Sequence, residues 1–143
     1  MILDFRITIF ELKKKSNSFV KKKFLMDKNE LKERFKKFSL RIIKLCQSLP
    51  KDKISDVIRG QLVRCGTSSG ANYRAACRAK STADFINKLK IVEEELDESL
   101  YWMELLIEAK IQKEHLLADL MNEGNELLSI VVSSIMTTKS KPK

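Results

Sequence analysis

The chain has little of what β-rich or loop-rich proteins are made from: four glycines, two prolines and 7% aromatic residues in 143. With 43% hydrophobic content, that scarcity points to one compact helical domain with a sizeable core. Long apolar runs are missing too. None approaches the roughly 18 residues of a membrane span, and Asp4, Arg6 and Glu11 interrupt what would be the apolar region of a signal peptide. The expectation is a cytoplasmic protein. Cysteine is sparse and odd in number: Cys46, Cys65 and Cys77 sit in helical patterns without C-x-x-C spacing, as ordinary reduced thiols do.

Catalytic groups are equally scarce. A carboxylate-bridged di-metal bundle needs two inward Glu-x-x-His motifs, but His115 is the single histidine and Gln112 stands three residues before it. No glycine-rich phosphate loop, G-x-S-x-G elbow or nucleophile with a recognisable base is present. The acids Glu93, Glu94, Glu95, Asp97 and Glu98 fan around a helix as a solvated face, with Glu95 and Glu98 the two most worth following. The reading is therefore a protein that is not an enzyme and carries no metal or cofactor.

What is abundant is positive charge, and it is unevenly placed. The net charge is +9. Residues 29–80 hold thirteen Lys and Arg against four acids, whereas residues 81–110 hold three against eight. Either the basic and acidic pieces pair with each other, within or between subunits, or the basic surface meets nucleic acid.

Hydrophobic spacing divides the chain. Residues 1–28, with an apolar start, two lysine triplets and a second methionine at Met26, form a basic extension, either a flexible arm or the product of an upstream start. From Asn29, Leu31, Phe35, Phe38, Ile42, Leu45 and Leu49 alternate by four and three, which predicts a helix over 30–48 ended by Pro50. A second helix over 53–79 has a small-residue stripe of Ile58, Leu62, Cys65, Ser69, Asn72 and Ala76, with Asn72 expected to set register. Ser81 and Asp84 open a third helix as a capping-box variant, reaching about Ala109 on Phe85, Leu89, Val92, Leu96, Ser99, Met103 and Leu106. A fourth over 113–136 turns Leu117, Met121, Gly124, Leu128, Val131 and Ile135 inward. The fold class is all-α: an antiparallel up-down-up-down four-helix bundle over 29–139, with 140–143 as a flexible tail.

Two features lie off the core stripes. Ile91, Glu98, Tyr101, Trp102 and Leu105 share a second face of the third helix, expected as a subunit interface. Lys53, Arg64, Arg74 and Arg78 line the outward face of the second helix. Arg64, Arg74 and Arg78, with Lys37 and Lys44 of the first helix, are the candidate nucleic-acid-binding residues, touching backbone phosphates.

The run from Leu62 to Leu106, above all LVRCGTSSGANYRAACRAKSTADF followed by ExxESxYWMELL, resembles the bacterial four-helix-bundle family of the 23S rRNA intervening-sequence protein. That family includes the accessory variability determinant of diversity-generating retroelements. The resemblance covers about 29–139. Gly70, Ala71, Asn72, Arg78, Ser81, Phe85, Glu95, Glu98, Tyr101 and Trp102 match the pattern, while Ala75 stands where a glutamate is usual. It implies a homo-oligomer, a pentamer in expectation, with a basic surface binding RNA or DNA. Two alternatives stand beside it: an adaptor for a nucleic-acid enzyme such as a retroelement reverse transcriptase, and a purely structural oligomer.

Overall fold

The computed structural model describes residues 27–142; the predicted basic extension, apart from its last two residues, lies outside them. Four helices follow in order, α1 (Lys28–Ser48), α2 (Lys53–Ala76), α3 (Thr82–Glu108) and α4 (Glu114–Lys139), with no strand among the described residues. Each packs on its chain neighbours, and α4 closes back onto α1. The result is the all-α antiparallel bundle, and none of its helices is long and apolar enough to cross a membrane.

Local chemistry sets the boundaries. The Asp27 carboxylate accepts from Asn29 N–H at 3.2 Å at the start of α1, and Leu49 turns extended (ψ 151) ahead of Pro50. Asp52 caps α2, accepting from Ser55 N–H at 2.9 Å and the Ser55 hydroxyl at 3.0 Å. At α3, the Ser81 hydroxyl accepts from Asp84 N–H at 3.1 Å. The Asp84 carboxylate reaches past the cap residue to Lys80 N–H, 3.1 Å away.

α2 stops three residues before the predicted Ala79. There Arg78 N–H donates to Ala75 C=O and Ala79 N–H to Ala76 C=O, at 3.0 and 3.1 Å, so the last turn tightens into three-residue steps. At the end of α3, Lys110 adopts the left-handed conformation (φ 59). Ile111 N–H donates back to Leu106 C=O at 2.9 Å, and Lys110 N–H to Ile107 C=O at 3.0 Å. These are the paired bonds of a Schellman ending, with lysine where glycine is usual. α4 runs three residues past the predicted Met136.

The core is a continuous set of buried side chains running from Leu31 and Phe35 through Leu62, Leu96 and Met103 to Leu128 and Ile135. The small residues of α2 serve close approach: a β-carbon on Gly66 would lie 2.7 Å from Ile42 Cγ2. Packing outweighs the roughly 1 kcal/mol that a helical glycine costs relative to alanine.

Asn72 corrects the sequence expectation. It is half-buried, and its amide donates within its own helix to Ser68 C=O (2.9 Å) and Ser68 Oγ (3.0 Å), so it makes no register-setting bond to a neighbour. The next residue, Tyr73, is buried instead and stacks on Phe35 with ring centroids 4.9 Å apart. A straight helix drifts about 20° per heptad from a 3.5-residue repeat, enough to move the core line by one residue over α2. The same drift brings Cys46 into the α1 core beside the half-buried Leu45.

Candidate nucleic-acid interface

Helices α1 and α2 leave a cleft of about 410 Å³ on the bundle surface, lined from α1 by Lys32, Glu33, Lys36 and Ser39, and from α2 by Thr67, Gly70, Ala71 and Arg74, with Arg78 in the turn beyond. Lys32 and Lys36 are four residues apart on one helix face, about 6 Å along the axis. Arg74 and Arg78 repeat that spacing opposite. The floor is made of small side chains, and the Ser39 hydroxyl donates to Gly66 C=O at 3.2 Å, holding the walls together.

Four cations meet one acid here. Glu33 lies 3.2 Å from Lys36 in an exposed pair on α1, worth little in free energy. Lys32, Arg74 and Arg78 hold no ion pair among the described residues. A concave surface with unbalanced positive charge concentrates anions. The cleft carries no ring on which a base could stack, because Phe35 and Tyr73 are spent on each other in the core.

The other sequence candidates lie elsewhere. Arg64 turns toward α3 and pairs with Glu95 at 3.2 Å and with Glu98; these hydrogen-bonded acids, Glu98 foremost, hold its guanidinium above its ordinary pKa. Basic α2 and acidic α3 therefore do meet at this point, within one chain. Lys37 and Lys44 are exposed on the outward face of α1, rotated roughly 100° or more from the line of Lys32 and Lys36. Lys32 and Lys36 escaped sequence reasoning because only the packing reveals which flank of α1 looks toward α2.

Cys65, Glu95 and Glu98 place potential ligand atoms within 4.8 Å of one another. Burial pushes the Cys65 thiol up to about 11, so it is protonated at neutral pH, and its neighbour is the Ser99 hydroxyl, 3.2 Å away. Arg64 binds both carboxylates, so the group forms a salt bridge over a buried thiol.

On the second face of α3, Ile91 and Tyr101 are 42% and 53% exposed, while Trp102 is half-buried against the core. Tyr101 meets Trp102 edge to face at 5.4 Å. The buried Trp102 Nε1 has no hydrogen-bond partner among the described residues. Leu105 is half-buried, and Glu98 is committed to Arg64.

Residues 27–133 match the family described as 23S rRNA-intervening sequence protein. A crystal structure of a protein of unknown function from the S23 ribosomal protein family of Bacteroides thetaiotaomicron is similar, with 37% identity and a TM-score of 0.69 over 73% of this chain and 97% of that one. No curated protein matches the chain.

Proposed function

The chain belongs to the 23S rRNA-intervening sequence protein family, and from that premise we propose that it is a non-catalytic, cytoplasmic nucleic-acid-binding bundle whose α1–α2 cleft grips the phosphate backbone of RNA or DNA. The observation that carries this is the convergence of Lys32, Lys36, Arg74 and Arg78 on one cleft with Glu33 as the one acid in its lining. Arg64 strengthens the reading by contrast. Where the fold uses a cation for its own cohesion, it supplies acids, as Glu95 and Glu98 do; at the cleft it supplies almost none.

Such a site neutralises phosphates and reads no base edges, so it gives affinity without sequence preference. The half-exposed Ile91 and Tyr101 face supports self-association, a homo-oligomer with five-fold assembly as the family resemblance implies.

The test is binding of mixed-sequence RNA and DNA to the full chain at low salt, and to Arg74→Glu/Arg78→Glu and Lys37→Glu/Lys44→Glu variants. The cleft variant should lose most of its affinity with its helical content intact, and the outer-face variant should keep most of it. Absence of binding by the unmodified protein at low salt would sink the proposal.

A further inference from the structure

The α1–α2 cleft offers a ligand charge and little else. Its floor closes directly beneath the surface: a β-carbon on Gly70 would lie 3.3 Å from Ser39 Oγ and 3.4 Å from Phe35 Cβ, so no slot opens there for a base. The two hydroxyl protons in the lining are spent on helix carbonyls. Ser39 donates to Gly66 C=O at 3.2 Å, and Thr67 to Val63 C=O at 2.6 Å. What remains to meet a ligand is four cations, Lys32 and Lys36 on one wall and Arg74 and Arg78 on the other.

Nor does the rest of the described surface offer a place to stack. Tyr101 is the one exposed aromatic side chain among the described residues. It stands on α3 with Asp97 and Glu104 about one turn to either side and Glu94 and Glu108 about two turns away, all four exposed. A strand stacked on that ring would run its phosphates along carboxylates, which repel them. Among the described residues, aromatic ring and positive charge are kept on different helices. A single-strand platform does the reverse, setting rings beside the basic groove so that bases stack while the backbone is held.

We propose that the cleft is a duplex site, taking double-stranded RNA or DNA in preference to either separated strand. The proposal rests on the phosphate-gripping cleft described above and names the form of nucleic acid that such a cleft selects. A duplex keeps its bases stacked on one another and needs no ring from the protein. It also carries one charge per about 1.7 Å of axis, against about 3.4 Å for each strand, and releases more counterion per phosphate neutralised, about 0.9 against about 0.7. A separated strand gives up that charge density, must be ordered on binding, and finds at the cleft nothing for its bases in return.

The test compares, at one salt concentration and with the full chain, mixed-sequence duplexes of RNA and of DNA with their own strands, designed without self-pairing. A DNA strand of the same length with its bases removed is the third probe, and Arg74→Gln/Arg78→Gln the variant, its helical content checked by circular dichroism. Each duplex should bind about tenfold or more tightly than its strands, the variant should lose most of that difference, and the base-free strand should bind as well as the intact one. A duplex of either kind that binds no tighter than its strands overturns the inference; if the strands still depend on Arg74 and Arg78, the phosphate-gripping cleft itself survives. A base-free strand that binds markedly more weakly than the intact one overturns it too, because bases would then contribute. So does a duplex preference that the variant keeps, which would place the selecting surface elsewhere. Failure of every probe to bind would remove both the inference and the cleft.

Discussion

The Ser39 hydroxyl donates to the Gly66 carbonyl 3.2 Å away, tying α1 to α2 at the foot of the basic cleft. At the same level Gly66 lets Ile42 approach so closely that a β-carbon would meet it at 2.7 Å. The residues that shape the binding surface are thus the ones that set the helix contact.

Gly66→Ala therefore tests the contact. The intrinsic helix gain of about 1 kcal/mol is opposed by overpacking, typically about 1–3 kcal/mol. Urea denaturation should show net destabilisation, whereas Gly60→Ala, with nothing within 4 Å of its added carbon, should stabilise. A stabilised Gly66→Ala would mean that Ile42 can move aside.

Lys110 holds a left-handed backbone at the end of α3, which costs a residue with a β-carbon about 1 kcal/mol relative to glycine. Lys110→Gly should raise the unfolding midpoint by roughly that amount, because the Ile111 and Gln112 bonds to Leu106 C=O remain available. An unchanged or lower midpoint would contradict the strain.

Two capping carboxylates give stability a pH dependence. Asp84 is held below its ordinary pKa chiefly by its hydrogen bond to Lys88, with Lys80 N–H adding to it; Asp52 is held low chiefly by Ser55 N–H and then the Ser55 hydroxyl. A depressed folded value means that the stabilisation is present above the unfolded value of about 3.9 and disappears as pH falls through the folded value. Asp52→Asn and Asp84→Asn should each flatten the loss of stability below about pH 4, read as unfolding midpoints across an acid series. An acid limb as steep as in the unmodified chain would remove these caps from the account.

Burial opposes ionisation of Cys46 and Cys65, and raises Cys65 to about 11. The stability tied to the neutral Cys65 thiol is present below the unfolded value of about 8.5 and is lost as pH rises toward the folded one. Cys77, half-buried just beyond α2, should be alkylated first at pH 8. Cys65 modified before Cys77 would contradict the packing.

The helices and most of the core were legible because Leu, Phe and Ile recur at helical spacing and Asp52, Pro50 and Ser81 punctuate the chain with unambiguous local chemistry. Asn72 was misassigned, since a strict heptad cannot follow a straight helix far enough to choose Tyr73. At the cleft, Arg74 and Arg78 were recognisable as an outward row, but their partners on the facing wall were not. Which flank of α1 meets α2 depends on how Gly66 and Gly70 sit against Ile42 and Phe35, and periodicity within one helix carries no information about that. Arg64 looked equivalent to Arg74 for the same reason; the difference is Glu95 and Glu98, more than thirty positions away.

The most direct measurement is the salt dependence of duplex binding by the full chain and by Arg74→Gln/Arg78→Gln. Each phosphate neutralised contributes about 0.9 to the slope of log affinity against log salt. With the four cleft cations engaged, the slope should be roughly −3 to −4 per chain, and removing two should make it shallower by roughly 1.8, with weaker binding at every salt concentration. A slope and affinity unchanged by the double substitution would show that phosphates do not enter the cleft.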